Sequence, residues 1–488
     1  MNLGVALNTA RAALATTAKQ IAVSGSNTTG ADDPNRTRKI AQATTDAAGA
    51  VRVITVSRAT DLPLYYRLLA SKATNSGQQA LVDGLTRLDD TVGDTADGSS
   101  PAARVAALAT ALQAQANAPA DRSLAQATLT AAQSVVTTLA NATQTVITVR
   151  NQADAAMADS VAKLNDLLGQ LTASNNAAVS MTLAGEDATD ALDKRDSILT
   201  EISEQIGITV VQRDHGDVAV YTDGGVTLFD KTPRSVTFTP TASLAPGVTG
   251  NPLMVDGMPV TGDNPTMPIH TGALAGLAAL RDSVAPTYQA QLDEMARGLI
   301  ASFSESDQSG GGGPDLAGLF TWSGGPALPA AGTLSSGLAL TLKVNPAVDP
   351  AQGGNLDRIR DGGINGASYR YNGTGAASFA SRIDGLVTAM NADRAFDPAA
   401  GVANSASLLS FSTSSVSWLE DQRQAAGTAA DYQAALLSRA TEALSNATGV
   451  NIDNEYTIQL QLEQSYQAAS KLITLINSMM QTLLDALR

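Results

Sequence analysis

The strongest constraint on this chain lies at its two ends. Near the start, Leu3, Leu7, Ala10, Leu14, Thr17 and Ile21 follow a 4-3-4-3-4 spacing; near the end, Leu462, Ala469, Ile476 and Leu483 recur every seven residues. The companion positions Ser465, Leu472, Met479 and Ala486, with Tyr466, Ile473, Met480 and Leu487 beside them, widen the second stripe to about three residues per heptad. This spacing predicts two amphipathic helices whose apolar sides need cover. A stripe that broad suits a bundle with several neighbours better than a lone two-stranded coil. The ends also differ in charge. Arg11, Lys19, Arg36, Arg38 and Lys39 outweigh Asp32 and Asp33 in residues 1–40, whereas Asp453, Glu455, Glu463 and Asp485 outweigh Lys471 and Arg488 in residues 453–488. Opposite signs favour pairing of the two ends, although each helix taken alone could equally pack on a domain of its own.

Between the ends, residues 100–182 alternate Ala, Leu and Val with Thr, Gln and Asn, and Pro101 and Pro119 mark helix starts. A second helical run covers about 186–206. The β-rich segments Ile208–Gln212, Val218–Tyr221 and Val226–Phe229 follow, separated by His215-Gly216 and Asp223-Gly224-Gly225, and predict a hairpin or meander near 208–230. Loops and short strands occupy 240–268, and a helix spans about 274–304. Residues 304–375 hold 16 of the 41 glycines and read as loop with short strands, Leu338–Val344 being the clearest. Helices resume from about 376, with breaks near Asp397-Pro398 and Thr448-Gly449.

The expected fold is mainly α with inserted β-rich regions. The N- and C-terminal helices pair in a coiled-coil or bundle domain, and further domains nest outward. The expected divisions are 1–60 with 440–488 as an inner domain, 61–240 with 376–439 as a helical middle domain, and 241–375 as an outer region containing helix 274–304.

Composition narrows the function. The 488 residues include no cysteine and 2 histidines, and charged residues make up 16 %. Thiol chemistry, disulfide scaffolds and most metal enzymes are thereby removed. A net charge of -15 repels nucleic-acid phosphates and anionic membranes. Gly310–Gly313 is followed by Pro314 and Asp315 where a phosphate loop needs Lys and Ser or Thr, so it reads as a flexible loop. His215 and His270 have no nearby serine nucleophile motif. Asp187, Asp190, Asp193, Asp196 and Glu201 share a helix with Lys194 and Arg195, and read as a solvated or salt-bridged face. No catalytic, cofactor-binding or metal-ligating set emerges. Arg11 and Lys19 interrupt the apolar positions at the N-terminus, so no secretory signal is expected there.

The segment Ser24–Arg38 reads as a loop after the first helix, with Gly25 and Gly30 able to take positive φ and Pro34 blocking helix propagation. With Gly25, Asn27, Pro34, Thr37 and Arg38 it resembles the N-terminal motif of flagellar rod, hook and hook-associated proteins. Thr28, Gly30 and Arg36 stand where that motif usually has Ile, Asn and Tyr. At the other end, Gly449–Asp453, Glu455, Leu460, Glu463–Ser470 and Leu472-Ile473 are similar to the axial-protein ending. Leu192–Leu199 with Glu201-Ile202 and the β-rich 207–229 stretch, then Gly272–Leu277, Arg281-Asp282 and Leu292–Ala296, resemble the family of hook-associated proteins that joins hook to filament.

That resemblance implies a structural, non-enzymatic subunit without cofactors. It would be extracellular in the bacterial flagellum and exported without a cleaved signal peptide, by a route on which a cysteine-free chain cannot be trapped by disulfides. It implies self-association in a ring or helical layer, and as partners the hook protein, hook-associated protein 3 and an export chaperone at the C-terminal helix. Neither nucleic acid nor membrane is among them. The end helices would order only on assembly. The expected assembly interface is Leu3, Leu7, Leu14, Ile21, Asn27, Arg38, Leu462, Tyr466, Leu472, Ile476, Met479 and Leu483, with the Ser24–Arg38 loop touching a stacked subunit. Another axial protein, of the hook-associated protein 3 or hook and rod type, a helical surface adhesin, and a cell-wall hydrolase on an axial scaffold are the alternatives. The hydrolase needs an Asp/Glu/His cluster that the sequence lacks outside 187–201.

Overall fold

The computed structural model describes residues 3–45, 50–91 and 98–486. The first helix, α1 (Leu3–Thr29), leads into an antiparallel hairpin of β1 (Lys39–Thr45) and β2 (Val51–Arg58). Helices α2 (Leu62–Asp89), α3 (Pro101–Asn117), α4 (Arg122–Ala184) and α5 (Thr189–Gln205) follow. Each of the first three of these starts on a side-chain cap: Asp61, Ser100 and Asp121 accept backbone N–H bonds, and Pro101 occupies the first turn of α3.

Helix α4 is the spine. At 1.5 Å per residue its 63 residues span about 95 Å. Leu129, Ala132, Val135, Leu139, Ala142 and Val146 are buried along it at spacings of three and four, and the stripe continues to Ala178. Its first half lies in one apolar cluster with α2, α3 and residues 280–426; its second half lies in another with α5 and the β-rich segments.

The second cluster contains a four-stranded antiparallel meander of β3 (Ile208–Gln212), β4 (Val218–Thr222), β5 (Thr227–Asp230) and β6 (Thr232–Pro233), where the hairpin or meander was expected. Three two-residue strands, β7 (Val236–Thr237), β8 (Met254–Val255) and β9 (Met258–Pro259), form a sheet beside it. Helix α6 (Ala273–Ala279) then passes through a π-helical turn (Leu280–Val284) into α7 (Ala285–Ser302). The π turn sets Arg281, fully buried, against Asp154 of α4 and Asp282. Arg150, one turn earlier on α4, donates to the carbonyls of Arg281, Leu244, Ala245 and Val248. These buried, fully directed bonds pin the 240–250 loop to the spine.

The glycine-rich span differs from its expected loop character. Strand β10 (Phe320–Thr321) pairs with β11 (Lys343–Val344), and Leu338–Thr341 forms a single helical turn, α8, where a strand was expected. Phe320, Leu338, Leu342, Val348 and Ile359 are buried in the same cluster as α4 and α7, so this span is part of the packed body instead of facing solvent throughout. Glycine supplies the turns, and a few large apolar residues supply the anchors. The short α9 (Asp357–Asp361) and α10 (Ser381–Asn391), then the strand pair β12 (Arg394–Ala395) and β13 (Ser405–Ala406), lead to α11 (Leu408–Thr448). Helix α11 packs along α2, and α12 (Ile452–Ala486) returns to pack on α1. The fold is therefore mainly α with inserted β-rich segments, and its two terminal helices are paired.

Inside the first cluster, the buried Asp293 carboxylate accepts from the N–H groups of Gly337 and Ala339 at 2.9 and 2.8 Å and from Gln289 at 3.2 Å. Burial outweighs these bonds and pushes its pKa up to about 6. The folded state thus holds this proton more tightly than the unfolded chain, so the group's contribution to stability falls as pH rises from about 4 to about 6. Asp293→Asn is expected to remove that contribution, up to about 3 kcal/mol, so that the parent gains stability over the variant on acidification from pH 7 to 4, measured by urea unfolding at both pH values.

Candidate assembly interface and its buried joint

Helices α1 and α12 pack antiparallel: Ser24 and Asn27 meet the first turns of α12 while Gln20 lies near Leu462. At the base of the pair, Glu455 is 2 % exposed. Its carboxylate accepts from Ser24 Oγ at 2.7 Å and from Arg38 Nε at 2.6 Å. The Arg38 backbone N–H donates to the Thr448 carbonyl at 2.8 Å, closing the joint against the end of α11. A buried carboxylate needs such partners, because leaving it unpaired costs more than any apolar contact there returns.

Asn27 is 1 % exposed. Its side chain donates to the Lys39 carbonyl and accepts from the Lys39 N–H, both at 2.9 Å, and so continues the hairpin's hydrogen bonding. This explains the first departure from expectation. The segment from Ser24 is not a loop: α1 continues through Gly25 to Thr29, and Gly25 and Gly30 do not take positive φ. Thr28 and Thr29 hydroxyls donate back to the carbonyls of Ser24 and Ser26, and the tertiary role of Asn27 overrides local turn preference. Ser24, Asn27 and Arg38 are thus each engaged in hydrogen bonds within the chain. Of this stretch, Thr29 and residues 32–35 are exposed.

The remaining expected interface residues divide by face. On α1, Leu3, Leu7, Leu14 and Ile21 are half-buried, while Ala10 and Thr17 of the same stripe are buried. On α12, Ile476 and Ala469 are buried against α1, and Leu462, Ile473 and Met480 are half-buried. Tyr466, Leu472, Met479 and Leu483 are 40, 52, 46 and 54 % exposed. Tyr456, Leu460, Leu475 and Leu484 are exposed as well. One helix covers part of a stripe three residues wide and leaves the rest open. Leu487 of the third stripe lies outside the described residues.

The hairpin and its flanks carry the contacts that the sequence did not reveal. Lys39 Nζ meets Asp190, Thr37 and Arg58 meet Asp193, and Arg58 also meets Asp196, so the carboxylate face of α5 is salt-bridged to the segment after α1. Pairing with the two aspartates lifts the Arg58 pKa above its usual value against the opposing effect of burial. The Asp spacing and the basic residues after α1 were the available signals; nothing local joins them. Among the described residues no group of three or more His, Asp or Glu side chains is placed to hold a metal ion, and no helix is long and apolar enough to cross a membrane. His215 lies in the Asp214–Gly216 turn before β4, and His270 in the loop before α6.

Gly30 and Arg36, two of the departures from the axial motif, are coupled in space. A Cβ on Gly30 would lie 2.5 Å from Arg36 Cδ and Nη1, and Arg36 Nη2 donates to Ser26 Oγ at 2.6 Å. The arginine arm needs the missing side chain. Gly30→Ala is therefore expected to raise the exchange rate of the Arg38 amide about fivefold, a cost of about 1 kcal/mol. In an Arg36→Ala background the same substitution has little further effect, which hydrogen-exchange mass spectrometry of the four chains tests.

Comparison with known proteins agrees with this architecture. Residues 85–318 match the family model described as the flagellar hook-associated protein FlgK helical domain, and residues 442–486 match that of the flagellar basal body rod FlgEFG protein C-terminal. The second match covers the end of α11 and nearly all of α12. Among solved structures, the flagellar hook junction protein FlgK from Burkholderia pseudomallei is similar, with a TM-score of 0.55 at 15 % identity, over 78 % of this chain and 99 % of that one. At that identity the likeness speaks to the fold. No curated protein matches the chain.

Proposed function

The chain belongs to the family of flagellar hook-associated proteins of the FlgK type, and from that premise we propose that it is the structural subunit that joins hook to filament, required for filament growth on the hook. The observation that carries this reading is the uncovered side of α12. Nine large apolar side chains from Ile452 to Leu484 are at least 40 % exposed on one 35-residue helix. A patch of that length on a soluble chain marks a partner surface. Counting back along the antiparallel pair from Ser24 and Glu455 brings Leu3 roughly level with Ile476, so about ten residues of α12 project past α1. Met479, Leu483 and Leu484 lie on that projection and need a second molecule for cover.

Neighbouring copies of the same subunit, arranged in a ring or helical layer, are the natural occupants. Leu3, Leu7, Leu14, Ile21, Leu462 and Ile476 build the pair, and Tyr466, Leu472, Met479 and Leu483 face the neighbours. Asn27 and Arg38 contribute by setting the base of the pair. The hook protein on one side and hook-associated protein 3 on the other complete the stack, and an export chaperone covers the same α12 face before the subunit is secreted through the flagellar route. The proposed role is structural and calls for no catalytic step. Electron microscopy of cells lacking this protein is expected to show bare hooks, with filament subunits lost to the medium. Normal filaments on those hooks would refute the reading.

A further inference from the structure

Burying a carboxylate is costly unless a cation or a proton meets it. Asp293 on α7 is 1 % exposed, and neutral donors alone meet its charge: the N–H groups of Gly337 and Ala339 and the amide of Gln289. Among the described residues no arginine, lysine or histidine pairs with it. Gln289, one turn earlier on the same helix and 5 % exposed, directs its Nε2 to Asp293 at 3.2 Å and to Thr143 Oγ1 at 3.4 Å. No group among the described residues donates to its Oε1. A buried acceptor without a donor is uncommon enough to need an explanation.

Both residues border one cavity of about 360 Å³, a size that takes a small organic molecule. One wall is the π turn, a geometry that recurs at functional sites, and it brings Asp282 and Ser283 to the cavity. Asp263 adds an exposed carboxylate. The cation on the wall is Arg150, whose guanidinium is already engaged by four backbone carbonyls. Arg281 lies between Asp154 and Asp282. Two arginines thus stand against four carboxylates, Asp154, Asp263, Asp282 and Asp293. We propose that this cavity is a binding site for a primary alkylammonium ion.

The chemistry of the lining selects the cation. A metal ion needs several oxygens converging on one point, and among the described residues no three carboxylates or histidines are so placed. An ammonium group brings three N–H donors of its own and accepts partners that are spread apart. Gln289 Oε1, turned by rotation of its amide, accepts one of them and Asp293 another, in charge-assisted bonds that a low-dielectric wall strengthens. Val248, Pro286, Ala290 and Leu334 of the same lining suit a methylene arm. The exposed Asp263 suits a second ammonium, so an aliphatic diamine fits better than a monoamine. None of the residues bordering the cavity belongs to α1 or α12, so the site stands apart from both the junction role and the ordering of the terminal helices.

Isothermal titration of 1,4-diaminobutane into the full chain at pH 8, where Asp293 is ionised, tests the site. The control is the bis-quaternary analogue methylated at both nitrogens, which has the same charge and arm but no N–H donor. The expected result is saturable one-to-one binding of the diamine, about tenfold weaker for the analogue and about tenfold weaker in Asp293→Asn. Asp263→Asn, at an exposed position, should weaken binding about threefold, and it carries the test if Asp293→Asn loses its helical circular-dichroism signal. Equal binding of the two cations would mark surface counter-ions only. No saturable heat, or an affinity unchanged in the folded variants, would leave Asp293 to a proton alone. Each of these results overturns the site.

Discussion

The arrangement of this molecule depends on one carboxylate. Glu455 lies at the first turn of the last helix, almost wholly out of solvent, and its partners are Ser24 and Arg38, more than four hundred residues earlier in the chain. A buried charge without partners is costly enough that α12 cannot seat its N-terminal end until α1 and the segment after it are in place. The apolar stripes provide the attraction between the two ends, and this polar base sets their register. Because Arg38 also bonds to the end of α11 and Asn27 supports Lys39, the same residues fix where the terminal pair leaves the body.

Upward from that base the chain is organised by α4. Its apolar stripe serves two clusters in succession, and the Arg150, Asp154 and Arg281 group lies at the changeover. The polar groups are concentrated where elements meet at fixed angles: at Glu455, along α5, and around the π turn. Apolar contact supplies most of the burial elsewhere. The pattern suits a subunit that must keep one shape while its exposed helical face is covered by others.

Much of this was legible in the sequence, because periodicity is local. The terminal stripes, α3 to α5, the 208–230 strands and the breaks at Pro398 and Gly449 all follow from spacing and turn residues. The axial motifs at both ends and the internal Leu192–Leu199 and Gly272–Leu277 segments pointed to the family. What escaped was non-local. Helix α1 runs on to Thr29 because Asn27 is used by Lys39, which no turn rule can foresee. The β1–β2 hairpin carries the β-branched Val51, Thr55 and Val56, but it packs on α1 and α5, the latter far from it in the chain. The glycine-rich span reads as loop with short strands, yet Phe320, Leu338 and Ile359 bury into the body. The acidic face of α5 reads in the sequence as solvated or salt-bridged, and the partners it has lie some 130 to 160 residues upstream, beyond any local window.

The account rests on the claim that the open side of α12 is kept open for other molecules and contributes nothing to the free chain. Leu475→Glu, Met479→Glu and Leu483→Glu combined place three charges at exposed positions of α12, the last two past the end of α1. The direct measurement is filament growth on the hooks of cells carrying this variant, together with thermal unfolding of the purified chain. Hooks without filaments, with helical content and melting temperature unchanged, are the predicted result. Normal filaments, or a variant chain that no longer folds, would contradict it.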